Sequence, residues 1–313
     1  MTLWADGILV PHLHKAYFVS GNLMTTVQLS TDKEKNEVSN KTNHDILTAF
    51  EIYKDAVFGV DADLRFWQSF LKLSIDEYKN KSSRPDEVFS AIFPAYNINP
   101  RTNSGLLKTH KKAFSIKTLD LDIHSQDFFA WVTNLSILKT YNALEVFLLQ
   151  AIHLRHFPNL KNPIDSKKAV EQINREIKAY LTTQNVNSDT KNNRHIIQFL
   201  KHQSTDISSF LKLPIRIDLT TNWENFFELI SILRNIIAHQ GTIVSTDTHN
   251  EIKSKARDIF QRHFVLPKDD NDYMNLHPIA DQFLNFTSLY NDFAVNTVKL
   301  MYNENDLTIF KMT

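Results

Sequence analysis

The chain of 313 residues contains no cysteine. Disulfides, thiolate metal sites and cysteine nucleophiles are therefore excluded, and the composition suits a reducing compartment. Glycine is scarce, with five residues. Rossmann and P-loop nucleotide folds need glycines in their tight phosphate turns, so neither is expected. A Gly-x-Ser-x-Gly nucleophile elbow is missing as well. Neither sign of charge is in excess: Lys plus Arg and Asp plus Glu both number 35. That excludes an electrostatic grip on nucleic acid spread over the whole chain, but not a local basic patch. No apolar run reaches the roughly 18 residues that would span a bilayer. Met1 to Phe18 lacks the basic start and apolar run of a secretory signal. The expectation is a soluble, cytoplasmic protein without membrane partners and without a cofactor.

Phenylalanine is plentiful, with 22 residues, and the length allows a large core and two domains. Met24 to Ser30 has the β-branched content of a short strand, and Thr31 to Asn43 is a polar loop. Helical periodicity begins at His44, with Ile46, Phe50, Tyr53 and Val57 on one stripe. Asp61 or Asp63 is placed to cap a second helix carrying Leu64, Trp67, Phe70, Leu71 and Ile75. Pro85 and Asp86 start a shorter helix through Val88, Ile92 and Phe93. Order fades from Pro94, and the alternation of Leu119, Leu121 and Ile123 predicts a strand over Ser115 to His124. The domain boundary is placed near residue 120, giving a domain 1–120 and a domain 121–313.

In the second domain, Ser125 opens a long, largely apolar helix stopped by Pro158. Further helices are predicted from Asp165 or Ser166, over Arg194 to Leu211, from His249 to Phe264, and from Ile279 to Tyr302. Thr183 to Asn193 is a loop, and Asp269 to Asp272 an acidic turn. The fold class is therefore mainly α: a C-terminal up-and-down helical bundle, with a smaller, mostly helical N-terminal domain containing short strands.

The clearest helix is Thr221 to Gly241, TNWENFFELISILRNIIAHQG. Thr221 and Glu224 have capping-box spacing, and Gly241 suits a left-handed C-cap. At about 100° per residue, Phe226, Leu229, Ile230, Leu233, Ile236 and Ile237 fall on one core-facing arc. Arg234, Asn235 and His239 fall outside it, with the small residues Ser231 and Ala238 between them. Phe227 and Ile232 also project outside the arc. Asn235 and His239 are four apart and therefore neighbours. Arg234 lies about 140° from His239, too far round to touch it within one straight helix.

Arg234-Asn235-Ile236-Ile237-Ala238-His239 resembles the signature of the HEPN superfamily, an Arg followed by a polar residue and then a His near the end of a long helix. The upstream segment Tyr141-Asn142-Ala143-Leu144-Glu145-Val146-Phe147-Leu148-Leu149 resembles the early helix of such domains. The resemblance covers roughly residues 121 to 305 and leaves the first third unexplained. It implies a helical bundle, ribonuclease activity, composite sites formed by dimerisation, and a role in bacterial toxin action or antiphage defence. One family variant carries a Tyr two residues after the His, modified by a partner enzyme. Gly241 stands there, so that regulation is not expected.

The residue chemistry fits such a reaction. Cleaving RNA through its own 2′-hydroxyl needs a base, an acid and a cation on the phosphate. Arg234 can grip a phosphate through two parallel hydrogen bonds. His239 suits either proton role, because imidazoles titrate near neutrality. Asn235 can orient His239 or donate to a phosphate oxygen. No metal is required. One His cannot serve as acid and base together, so two protomers facing each other across a two-fold axis are expected to pool their groups. Glu145 is a candidate charge partner for Arg234, and Ser231 a supporting residue. RNA is the expected substrate, and an antitoxin or regulatory protein a candidate partner. The competing reading is a non-catalytic helical module that binds a partner protein or RNA, favoured by the neutral charge.

Three other groups are weaker candidates. His153 and His156 share a helix face with no third metal ligand indicated. Asp120, Asp122 and His124 would share a face on a strand and could hold a divalent ion there. Lys108, His110, Lys111 and Lys112 form a short basic run that could touch RNA backbone.

Overall fold

The computed structural model describes residues 46–81, 86, 88–96, 109–189, 191–269 and 272–302. The expected strand at Met24 to Ser30 and loop at Thr31 to Asn43 lie outside them. The chain divides between Thr48 and Ala49 into two units, and the second holds nearly all of the described residues. This second unit is mainly α. Among the described residues there are eight α-helices: α1 (Ile46–Lys81), α2 (Leu121–His156), α3 (Lys167–Thr183), α4 (Arg194–Gln203), α5 (Thr205–Lys212), α6 (Trp223–Gln240), α7 (Thr246–His263) and α8 (Phe283–Tyr302). Two strands, β1 (Val88–Tyr96) and β2 (Thr109–Lys117), form an antiparallel ribbon, and four two-residue strands pair elsewhere.

Helix α1 is one helix where two were expected. Asp61 makes no cap; it pairs with Arg65 one turn on, at 3.1 Å. No proline interrupts the helix, and buried Tyr53, Val57, Val60 and Leu64 carry the apolar stripe straight past the predicted break. The segment after Pro85 is a second correction. It is strand β1, with Val88 opposite Lys117 and Tyr96 opposite Thr109. Pro94 cannot sit inside a helix, but each strand of a two-stranded ribbon has a free edge that tolerates it. The strand expected over Ser115 to His124 ends early, at Lys117. A 3-10 turn over Thr118–Asp120 then leads directly into α2.

Helix α2 is the axis of the bundle, and α6 and α8 pack against it. Ile137, Tyr141, Leu144, Phe147, Leu148 and Ile152 on it are fully buried. It ends before Pro158, because the residue preceding a proline avoids helical backbone and Phe157 sits at φ −133°, ψ 52°. Helix α1 runs antiparallel to it: Tyr53 stacks on Phe147 near one end, and Lys79 pairs with Asp122 near the other. Helix α8 runs parallel to it. Asn134 donates to Leu276 O just ahead of α8, and Tyr302 donates to Ala151 O at its end.

Helix α3 starts as expected at Ser166, whose hydroxyl accepts from Ala169 N, and it buries Ala169, Ile173, Ile177 and Leu181 at successive turns. The single helix expected over Arg194 to Leu211 is broken at Ser204. That residue is extended (φ −151°, ψ 131°), and its hydroxyl accepts from the N–H groups of Asp206 and Ile207, so it caps α5. The phenylalanine surplus packs the interior beside α6, where Phe226, Phe286 and Tyr290 meet edge to face and Phe227 stacks on Phe293.

Candidate functional site

Helix α6 ends as its sequence predicts and begins differently. Gly241 closes it in the left-handed conformation, φ 58°. The N-cap is Asn222, whose side chain accepts from Asn225 N at 2.8 Å. The expected capping box is not formed. Thr221 is drawn instead to Asp258 on α7, which takes the N–H and hydroxyl of both Thr220 and Thr221. Glu224 reaches Lys201, 3.0 Å away. A break in helical backbone at Ala256 (φ −147°, ψ 45°) lies two residues before Asp258 in α7. Burial raises the Asp258 carboxyl, but hydrogen bonds from Thr221, Thr220 and Ile259 win and hold it down at about 2.

The early turns of α6 are covered on almost every side. Phe227 and Ile232, outside the expected arc, are as buried as the arc itself, and Ser231 is buried too. Only the last turn emerges, so Ile237 is half-buried while Ala238 and His239 are exposed. The polar strip is therefore shorter than the wheel suggests. It consists of Arg234 and Asn235, half-buried where the helix leaves the bundle, and of His239 beyond them. Among the described residues, no hydrogen bond or ion pair engages the His239 ring.

Arg234 is held by its sequence neighbour. Its Nη1 donates to Asn235 Oδ1 at 3.0 Å, and Asn235 Nδ2 donates to Asn192 Oδ1 at 3.0 Å. Asn192 Nδ2 in turn donates to Glu251 at 3.3 Å. Asn235 thus braces Arg234 rather than orienting His239. Asn193, next in the chain, places its two amide protons on Tyr141 OH (2.7 Å) and Glu145 Oε1 (2.9 Å). Because Asn193 donates to the phenol oxygen, the phenol hydrogen is directed to Ser231 Oγ, 2.9 Å away. Burial, with Glu145 nearby, pushes the Tyr141 phenol up, so it stays protonated.

Asn192 and Asn193 both have left-handed backbone, φ 53° and 55°. Two successive non-glycine residues in that region carry strain that Asn tolerates better than most. Here the strained turn points one carboxamide at α6 and the next at α2. These two residues, with Tyr141, are the part of the site that spacing on the helix does not single out. The signal for them is an Asn-Asn pair directly before a helix, at the end of a polar stretch.

Glu145 lies in the field of Arg234, though no salt bridge joins them. Burial raises its carboxyl, against the opposing effects of Arg234 and Asn193. The remaining candidates fall elsewhere. His153 is fully buried, and His156 packs edge-on against Phe199, with burial lowering its imidazole. Asp120, Asp122 and His124 share no strand face, and Asp122 pairs with Lys79. His110, Lys111 and Lys112 lie on β2, and Lys108 falls outside the described residues. No group of three or more metal-ligating side chains forms among the described residues, and no described helix is long and apolar enough to cross a membrane. Comparison of the chain with protein-family models, curated proteins and solved structures finds no match.

Proposed function

We propose that the protein is a metal-independent endoribonuclease of the HEPN type, cleaving RNA through the 2′-hydroxyl and acting in the cytoplasm as a homodimer. The observation that carries this reading is the state of Arg234. It is a half-buried guanidinium without a carboxylate partner among the described residues, braced through Asn235 and Asn192, on the same helix as an exposed imidazole. A guanidinium held in place but not neutralised is suited to a phosphate. In this scheme Arg234 holds the scissile phosphate, and Asn235 is a positioning residue. His239 of one protomer removes the 2′-proton, while His239 of the other protonates the departing 5′-oxygen. Glu145 lies in the field of Arg234 but forms no salt bridge with it, so the guanidinium keeps its remaining donors for substrate. The resemblance implies toxin or antiphage defence as the setting, with an antitoxin or regulator as partner.

The test is RNA cleavage by the wild type, Arg234→Ala and His239→Ala, with analysis of product ends. The expected result is 2′,3′-cyclic phosphate from the wild type only, and a dimer by equilibrium sedimentation. Undiminished cleavage by His239→Ala, or a strict monomer at working concentration, overturns it.

A second reading has its own observation. Phe66 and Trp67 on α1, and Phe128 and Trp131 on α2, are about half exposed. Apolar exposure of this kind suits a helical module that binds a partner protein without catalysis. Absence of cleavage together with partner binding that survives His239→Ala would favour it.

A further inference from the structure

Asn193 has a second setting. It lines an open cleft of about 520 Å³ together with Glu171, Asn174, Arg175, Lys178 and His195. Glu171, Asn174, Arg175 and Lys178 stand at i, i+3, i+4 and i+7 on α3, away from its buried stripe. Neither Arg175 nor Lys178 has a salt-bridge partner among the described residues. His195 is buried, and its Nε2 donates to Asn174 Oδ1 at 2.8 Å. Its Nδ1 is then a bare acceptor, and it has no hydrogen-bond partner among the described residues. Burial, assisted by the charge of Lys178, holds this imidazole down at about 4, so it is neutral at physiological pH. A buried acceptor left unpaired is destabilising, and a hydroxyl-bearing ligand would satisfy it.

We propose that this cleft is a subsite for the RNA strand, in which Arg175 and Lys178 hold a backbone phosphate and His195 Nδ1 accepts from a ribose hydroxyl. The inference rests on the ribonuclease reading above and extends it to substrate choice. Asn193 is the common wall. It lines the cleft and also bonds Glu145, which lies in the field of Arg234. The two places therefore share Asn193. Two unneutralised cations on one helix face suit a phosphate. An unpaired acceptor beside them suits the 2′-hydroxyl, which distinguishes RNA from DNA.

The test measures binding of a short labelled single-stranded RNA to full-length His239→Ala, with and without Arg175→Ala and Lys178→Ala. Circular dichroism checks that each variant is folded. The double change is expected to weaken RNA binding about tenfold and to make the salt slope shallower by about 0.7, the value for one phosphate contact on a single strand. DNA of the same sequence is expected to bind more weakly than RNA. Unchanged affinity and slope, or equal binding of DNA, overturns the proposal. So does displacement of the RNA by a free nucleoside monophosphate at micromolar concentration, which would assign the cleft to a soluble nucleotide. If the wild type cleaves nothing but RNA binding still depends on Arg175 and Lys178, the ribonuclease reading fails and the cleft stands. If cleavage occurs and the double change alters neither affinity nor KM, the cleft fails alone.

Discussion

Arg194 and Arg234 sit at opposite ends of one chain of polar contacts, and their surroundings differ sharply. Arg194 is met by Asp189 at 2.8 Å, Glu228 at 3.1 Å and Glu251 at 3.5 Å. Lys255 and Lys191 complete the cluster on Glu228 and Glu251. From Glu251 the contacts run through Asn192 and Asn235 to Arg234, which ends the chain without a carboxylate of its own among the described residues. A guanidinium surrounded by acids is a structural tie, since its charge is consumed. One anchored by neutral amides keeps its charge for something else. The same turn, Asn192–Asn193, serves both.

This contrast can be broken by experiment, and the largest effect is expected at the open end. Arg234→Ala should lower RNA cleavage about 1,000-fold with little change in unfolding midpoint, read by single-turnover assays and urea denaturation. Loss of fold instead would make Arg234 a second structural tie. Next in size is Arg194→Ala. It leaves Glu228, which is 7% exposed, with Lys255 alone, and should cost about 3 kcal/mol of stability, while the folded fraction keeps cleaving. If that variant stays folded but inactive, the division of labour between the two arginines is wrong.

Asp258→Asn comes third, with an expected loss of about 2 kcal/mol, the scale of hydrogen bonds to a charged group. Its carboxyl is held at about 2 against an ordinary 3.8. The stability it adds is therefore present above the ordinary carboxylate range and lost as pH falls toward 2. The variant should show a flatter acid limb in that window, measured by thermal melts across pH. The smallest effect is expected for Glu145→Gln. A raised carboxyl stabilises the fold least when ionised, so its contribution is lost as pH rises through the raised value. The variant should melt slightly higher than wild type at pH 7 and match it at low pH. A lower melting temperature at pH 7 would show that the charge pairing with Arg234 outweighs burial.

Much of this fold is legible in the chain. The apolar period of α2, α3 and α6 reveals their existence and type, and Gly241 marks an end correctly. Ser166 is a legible start because its cap is local. Thr221 misleads because its partner, Asp258, is 37 residues away, and tertiary contact overrides a good local motif. The β1–β2 ribbon is not legible because Val88, Ile92 and Phe93 fit a helix and a strand equally well over so short a run, and only pairing decides. Arg234, Asn235 and His239 can be named from spacing. Their brace cannot, because Asn192 and Asn193 matter through a backbone conformation that composition only hints at.

The left-handed Asn pair also limits how the gene can drift. Few residues accept that backbone, and fewer still carry a side chain that both gives and takes hydrogen bonds. Replacing Asn192 leaves the Asn235 amide without its acceptor, and replacing Asn193 takes a donor from both Tyr141 and Glu145. In a library randomised across 186–193, the last two codons should therefore tolerate the fewest alternatives, with those of Asp189 and Lys191, which pair with Arg194 and Glu251, next.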